Sequence, residues 1–249
     1  MEYKPLVSII MPSYNSSKTI AESIESVLAQ TYHNWELLIT DDVSVDDTKN
    51  IVRSYCEIDN RIKLFELDKN SGAGVSRNNS IRYSKGEYIA FLDSDDLWLP
   101  NKLSIQIEFM ENNNVLLSYS AYQKFSAVGN SGIVTPPNSV NYSQLLTGNV
   151  IGCLTAIYNA KVLGKRYMPL IRKRQDMGLW LSILKDVDKA FGMPNVLAKY
   201  RVDTGMTQNK FNILKWQWVF YREVVGLSFF DSSKCFFFYF FKGVVKYLR

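Results

Sequence analysis

Histidine is nearly missing from this sequence, with His33 alone among 249 residues. Cysteine is scarce as well: Cys56, Cys153 and Cys235 are odd in number and far apart. That pattern speaks against a Cys/His zinc cluster and a disulfide framework, and it fits a reducing compartment. Ser-His-Asp or Cys-His catalysis would have to rest on His33 alone. Any bound metal must be held mainly by oxygen ligands, which directs attention to carboxylates. Long apolar runs are lacking too. The six consecutive aromatics from Phe236 to Phe241 fall far short of the roughly 20 apolar residues that cross a bilayer. Val7 to Met11 is too short, and too soon broken by Pro12, for a signal peptide. No Gly-Lys-Ser/Thr follows a glycine-rich turn, so there is no P-loop. Gly72-Ala73-Gly74 lacks the third glycine of a dinucleotide fingerprint, because Arg77 holds its place.

What the chain does contain is a globular balance, 47% hydrophobic and 21% charged residues, with enough length for a sizeable core. No internal repeat or low-complexity tract interrupts it. Net charge is +5, and the excess is all C-terminal: residues 201–249 carry eight Lys/Arg against three Asp/Glu. From Phe211 onward the same tail holds 14 of the 34 aromatics, with Lys234, Lys242, Lys246 and Arg249 flanking the aromatic run. Basic residues beside an aromatic face suit a helix lying on an anionic membrane surface. A helix packed on the protein's own core is the plainer alternative.

Periodicity predicts alternating strands and helices over the first 125 residues. Val7–Met11, Trp35–Thr40, Arg61–Phe65 and Glu87–Leu92 read as strands. The intervening helices are Ile20–Leu28, with Ile20, Ile24, Val27 and Leu28 on one stripe, Asp46–Tyr55 and Gly74–Tyr83. Strands separated by helices pair in parallel, and ligands then bind at their carboxyl ends. Those ends carry Ser13-Tyr14-Asn15, Asp41-Asp42 and Asp93-Ser94-Asp95-Asp96. A further strand is expected near 115–122, a Gly/Pro/Ser/Asn-rich loop or seam over 129–148, a strand over 153–158, a helix over 176–184 with Leu179, Trp180, Ile183 and Leu184 inward, and a short strand over 198–202.

An acidic crevice suits an anionic ligand only if a cation lies between them. Paired aspartates are hard oxygen donors that fit Mg²⁺ or Mn²⁺, which suggests a metal-bridged phosphate. Asp-x-Asp also caps helices and makes turns, but this one ends a very apolar strand. Arg77 reads either as a diphosphate or crevice-carboxylate partner or as an exposed helix arginine.

Five stretches in order carry a resemblance to glycosyltransferase family 2, the inverting enzymes of the GT-A fold. They are Val7-Ser-Ile-Ile-Met-Pro-Ser-Tyr-Asn15, Ser26-Val-Leu-Ala-Gln-Thr-Tyr32, Trp35-Glu-Leu-Leu-Ile-Thr-Asp-Asp42, Gly74 to Asn78, and Gly86-Glu-Tyr-Ile-Ala-Phe-Leu-Asp-Ser-Asp-Asp96. The resemblance fades over 125–150 and returns at Arg174-Gln-Asp-Met-Gly-Leu-Trp-Leu181. It implies an α/β, Rossmann-like, mostly parallel sheet flanked by helices. The expected parts are a nucleotide-sugar half over 1–125, an acceptor and base half over 126–205, and a basic aromatic helical tail over 206–249. Pro12, Tyr14 and Asn15 are expected to border the nucleoside and Asp42 to bond the uracil. Asp93 is expected to hold ribose and metal, Asp95 to bind Mn²⁺ or Mg²⁺ directly, and Trp180 to lie in the substrate site.

Asp176 matches the family's general base, although it could also be a plain helix N-cap. A sugar hydroxyl is a weak nucleophile and needs a carboxylate within hydrogen-bond reach, while a divalent cation offsets charge on the departing diphosphate. One in-line displacement converts an α-linked donor to a β-linkage. The family's processive members carry Gln-x-x-Arg-Trp after the base and several membrane spans. Gln217-Trp218 lacks that arginine, so a single sugar addition is expected. The implied substrates are a UDP-sugar, UDP-glucose or UDP-galactose, and a glycan acceptor on polyprenyl diphosphate at the cytoplasmic face of a bacterial membrane, with no nucleic acid. A non-catalytic nucleotide-sugar or membrane-surface binding protein on the same fold is the alternative, and a base at Asp176 discriminates between the two. A nucleotidyltransferase would need a glycine-rich triphosphate loop that residues 11–18 do not offer.

Overall fold

The structure, a computed structural model, describes residues 3–203 and 210–247, without the side chains of 210–213 and 242–247. The N-terminal half runs β1 (Val7–Ser13), α1 (Ile20–Leu28), β2 (Trp35–Asp41), α2 (Thr48–Ile58), β3 (Ile62–Glu66), α3 (Ala73–Tyr83) and β4 (Tyr88–Phe91). Then come β5 (Leu97–Trp98), α4 (Lys102–Asn112), β6 (Leu117–Ser126), β7 (Gly129–Val134), β8 (Ser139–Val140) and α5 (Tyr142–Leu146). A 3₁₀ turn at Cys153–Thr155 precedes β9 (Ile157–Asn159), α6 (Ala160–Leu163), α7 (Gln175–Ile183) and β10 (Ala190–Arg201). The chain continues in α8 (Lys210–Val219), a π-helical turn Phe220–Val225, and α9 (Phe229–Tyr247).

β1 pairs in parallel with β2 and β4, and β2 in parallel with β3. Side chains alternate across this unit as pleating requires. Val7, Ile9, Met11, Leu37, Ile39 and Ala90 join one core layer with Ile24, Val27, Val52 and Leu103 of the helices. Ile10, Leu38, Ile89 and Phe91 face the opposite layer with Ile81, Leu179 and Trp180. Because both faces are covered, β1 and β2 are buried throughout and largely apolar, and the buried Ser8 hydroxyl donates to Glu36 Oε1 at 2.6 Å.

The sheet order β3-β2-β1-β4-β9-β6-β10-β5 places β4 on the other side of β1 from β2. Chain order therefore reverses between β1 and β4, the kind of switch point where a ligand crevice opens beyond the strand ends. Pro12 reinforces the opening. It has no N–H, and the β1–β4 pairing stops at Ile10 and Phe91, two residues before it.

The α/β architecture matches the sequence reading, and several local expectations are corrected. β9 runs antiparallel to both β4 and β6, so the second half of the sheet is mixed. The stretch 129–148 is not a plain loop: it holds β7, β8 and α5, the last opened by a capping box between Asn141 and Gln144. β7 is exposed along most of its length, so it lacks the apolar alternation that marks a strand. The expected strand over 153–158 is a 3₁₀ turn followed by the shorter β9, and the short strand over 198–202 is the end of the longer β10.

One buried charge matters for stability. Lys102 is fully buried at the start of α4, where its Nζ donates to Gln106 Oε1 at 2.6 Å and to the Thr155 carbonyl at 3.1 Å. Burial pulls its pKa down to about 7. Below that value both folded and unfolded chains carry the proton. Between there and the ordinary lysine value of about 10.4 only the unfolded chain does, so the fold gains stability as pH rises. Lys102→Met should therefore lose ground to the wild type between pH 7 and pH 9.5, read as the difference in melting temperature. An equal difference at both pH values contradicts the assignment.

Candidate functional site

Four loops meet at the crevice, and local bonds fix each of them. After β1, Asn15 takes a left-handed conformation, φ 49°, which asparagine tolerates. Its N–H donates to Ser44 Oγ at 2.9 Å, and its Oδ1 accepts the Val45 N–H at 2.9 Å, tying the first loop to the second. Tyr14 beside it is half exposed, and Pro12 is buried in β1. After β2 the two aspartates divide their work. Asp41 is fully buried and structural, its carboxylate accepting from Ser44 N–H, Ser44 Oγ and Ser13 Oγ. Asp42 accepts the Ser71 N–H at 2.6 Å on one oxygen and the Gly72 N–H at 2.7 Å on the other. This clamp sets the turn into α3, where Gly72 has φ 86° and any side chain would be strained.

α3 then enters the crevice at close range to α7. A Cβ on Gly74 would lie 2.7 Å from Gln175 Nε2, so a side chain here would displace the Gln175 amide. Arg77, one turn further on, is 9% exposed and donates to Asp93 Oδ1 at 2.5 Å and to Gln175 Oε1 at 3.2 Å. Burial alone would lower its pKa, but the Asp93 charge outweighs that and raises it. Arg77 is thus the partner of a crevice carboxylate and not an exposed helix arginine. Its buried Nε has no hydrogen-bond partner among the described residues.

The loop after β4 is held from three sides. Ser94 Oγ meets Ser16 Oγ at 2.8 Å, and the Ser94 carbonyl accepts from Thr19 Oγ1 at 2.8 Å. The Asp95 carbonyl accepts from Arg201 Nε at 2.8 Å, and Asp96 Oδ1 accepts the Arg201 N–H at 2.9 Å. Asp96 is 1% exposed, and burial, then Asp93 and Asp95, push its carboxyl well up. It anchors the loop to β10, which leaves Asp93 and Asp95, both partly exposed, as the carboxylates at the crevice. Arg201 completes the anchor with an ion pair to Glu22 at 2.6 Å.

Asp176 lies in the first turn of α7, within electrostatic reach of Arg77, Asp93 and Arg174. Its Oδ2 accepts from Asn149 Nδ2 at 2.9 Å. Burial raises its pKa, opposed by the Met177 N–H, Arg77 and Arg174. A carboxylate moved toward neutral pH is better matched to taking a proton. Cys153 adjoins the same charges, and burial pushes its thiol well up, so it stays protonated.

The structure therefore brings Asp93, Arg77 and Asp176 together and sets Pro12, Tyr14, Asn15 and Asp42 on the neighbouring loops. Trp180 is the exception among the expected site residues. It is 0% exposed and meets Phe91 edge to face at 5.4 Å, so it belongs to the core beneath α7. Sequence reasoning missed Gln175, Asn149 and Arg201, whose partners lie 98, 27 and 106 residues away and leave no local signal. A separate groove of about 450 Å³ between α1 and β5, bordered by Glu22, Glu25 and Trp98, touches none of the crevice carboxylates.

The donor set fits a divalent cation of the hard kind. Among the described residues no three His, Cys, Asp or Glu side chains form a self-sufficient metal cage. Mg²⁺-type sites commonly use one or two carboxylates and complete their coordination with substrate phosphates and water. Asp95 and Asp93, at a strand end, supply that number.

A doubly covered α/β sheet with carboxylates at its switch point defines the class: the GT-A fold of sugar-nucleotide transferases. Residues 8–157 match the family described as Glycosyl transferase family 2, and the chain belongs to that family. It is 44% identical to the UDP-Glc:alpha-D-GlcNAc-diphosphoundecaprenol beta-1,3-glucosyltransferase WfgD of Escherichia coli over 86% of this chain and 84% of WfgD. Identity to WfaP, a second Escherichia coli protein of the same description, is 38% over 97% and 95% of the two chains. The fold also matches S. aureus TarS in complex with UDP-GlcNAc, with TM-score 0.72, 19% identity, and coverage of 94% of this chain and 71% of TarS.

Proposed function

We propose that the protein is an inverting hexosyltransferase that moves one glucose from UDP-glucose to a hydroxyl of a polyprenyl-diphosphate-linked glycan in bacterial surface polysaccharide synthesis. The observation that carries this reading is the meeting of Asp176 with the Arg77–Asp93 pair at the switch point. The likeness to WfgD and WfaP, over 86% and 97% of this chain, supports this donor and acceptor. Galactose is the runner-up sugar.

In this reading Asp176 takes the proton from the acceptor hydroxyl as it attacks the anomeric carbon. Asn149 holds one of its carboxylate oxygens. Asp95, with Asp93, would hold Mn²⁺ or Mg²⁺, which when bound offsets charge on the departing diphosphate. Arg77 holds Asp93 in place through their ion pair. Asn15, Tyr14 and Pro12 border the nucleoside, and Asp42 fixes the loop beside the base and bonds the uracil. Calorimetry with UDP-glucose, UDP-galactose and UDP-GlcNAc, each with and without Mn²⁺, tests the donor. The reading expects the tightest Mn²⁺-dependent binding for UDP-glucose, and metal-independent binding of equal strength for all three contradicts it.

The same proposal places the enzyme on the inner face of the cell membrane through α9. No helix of the described residues is long and apolar enough to cross a membrane. α9 instead turns one stripe inward, with Ser232 buried and Cys235 and Phe236 packed on the core. Phe230, Phe237 and Phe241, with exposures of 85%, 61% and 59%, occupy the opposite stripe, and Lys234 is exposed with them. Exposed phenylalanines in register with a cation suit an anionic lipid surface. The side chains of Lys242, Lys246 and Arg249 lie outside the described residues. Sedimentation with anionic vesicles should weaken with salt. The double variant Phe230→Ser, Phe237→Ser should bind roughly tenfold or more weakly at unchanged melting temperature. Binding indifferent to salt and to both substitutions contradicts this placement.

A further inference from the structure

The inner stripe of α9 ends at Tyr239, and this residue reaches the turn that carries the base. Tyr239 Oη accepts from Arg174 Nη2 at 2.5 Å, and the Arg174 guanidinium stands 5.4 Å from the centre of the Tyr239 ring. Arg174 immediately precedes Gln175 and Asp176 and has φ 71°, a left-handed conformation that a non-glycine residue keeps only where its surroundings hold it. Its carbonyl accepts the Gly178 N–H at 3.0 Å, so its backbone sets where α7 begins. Gln175 in turn bonds Arg77 and, through Nε2, the Ile171 carbonyl at 2.7 Å.

The rest of the C-terminal segment presses α7 from the same side. A Cβ on Gly178 would lie 2.5 Å from Pro169 and 3.4 Å from Phe220, so α7 is wedged against the π-helical turn. Phe236 of α9 packs edge to face on Trp218 at 5.7 Å, joining α9 to α8.

We infer that Tyr239 is a positioning residue for the proposed transfer: through Arg174 it holds the left-handed turn that aims Asp176 into the crevice, so α9 is part of the active-site framework as well as a surface anchor. This inference rests on the reading of Asp176 as the base. It also links the two faces of α9, because the helix that carries the outward phenylalanines is the one that orders the base.

A double-mutant cycle tests it. Tyr239→Phe keeps the ring and removes the hydroxyl. It should lower kcat about tenfold while leaving UDP affinity and melting temperature unchanged. Arg174→Ala should lower kcat at least as far, and the double variant should be no slower than Arg174→Ala alone. Effects that multiply, or an unchanged kcat in Tyr239→Phe, overturn the inference. Tyr55→Phe, which removes a hydroxyl bonded to Glu25 far from the crevice, serves as the control and should leave kcat unchanged. Amide hydrogen exchange at residues 174–178 decides the matter without any activity. It should quicken in Tyr239→Phe with exchange in β1 to β3 unaltered, and no change at 174–178 overturns the inference. Should the wild-type chain transfer no sugar, the functional reading falls while the exchange result still stands on its own.

Discussion

Asp176→Asn is expected to lower turnover by roughly 10²–10⁴ with UDP affinity kept, the span usual for loss of a general base. Asparagine keeps the size of the side chain and one oxygen, so Asn149 can still donate to it, but the basic oxygen is gone. Turnover of a soluble lipid-diphosphate acceptor analogue, beside calorimetric UDP affinity, reads the two effects separately. Burial raises the pKa of the Asp176 carboxyl. The base works only when deprotonated, so wild-type kcat should rise with pH through that raised value, and the acid limb should vanish in Asp176→Asn. Near-normal turnover would move the role to another carboxylate. The two that follow α7 are poorly placed for it: Asp186 is paired with Arg166 at 2.6 Å, and the Asp188 side chain is 90% exposed.

Asp95→Ala should abolish Mn²⁺-dependent strengthening of UDP binding, a loss of at least about 100-fold, since even partners behind a ligand are worth about 10–100-fold. The fold should survive, because the anchor to Arg201 runs through the Asp95 carbonyl and the neighbouring Asp96 carboxylate, neither of which the substitution removes. Asp93→Ala is the less informative variant. It would leave Arg77 buried without its partner, and the cost of that uncompensated charge would mix stability with metal affinity. UDP titrations with and without Mn²⁺ decide the point, and unchanged metal-dependent affinity in Asp95→Ala removes Asp95 from the metal site.

The parts of this site legible in the sequence are those written locally. The pleat of a strand covered on both faces gives largely apolar runs, so β1, β2 and β4 and the acids at their ends could be read directly. Asp93 and Asp95 gain meaning from ending such a strand, whereas Asp41, equally acidic and equally terminal, proves to be a buried loop brace. Nothing short of the fold separates these two cases. Trp180 shows the same limit from the other side: an aromatic four residues after Asp176 shares its helix but packs into the core.

The aromatic tail was legible only as composition. Six aromatics in succession carry no helical period, so which of them dock is decided by the surface they meet: Phe236 and Tyr239 turn inward while Phe237, Phe238, Phe240 and Phe241 stay exposed. Arg201, the brace behind the Asp93–Asp96 loop, and Gln175, the bridge from α7 to Arg77, act across about a hundred residues of sequence. Their neighbours in the chain give no hint of either role.

The most direct test of the central claim is the stereochemistry of the product. Purified full-length protein, UDP-glucose, Mn²⁺ and a GlcNAc-diphosphate-lipid acceptor should yield a single added glucose whose anomeric proton shows the large coupling of a β-glucoside by NMR. Asp176→Asn should form the same product only slowly. An α-linked glucose, or a β-linked one formed as fast without Asp176 as with it, would contradict an inverting transfer driven by that carboxylate.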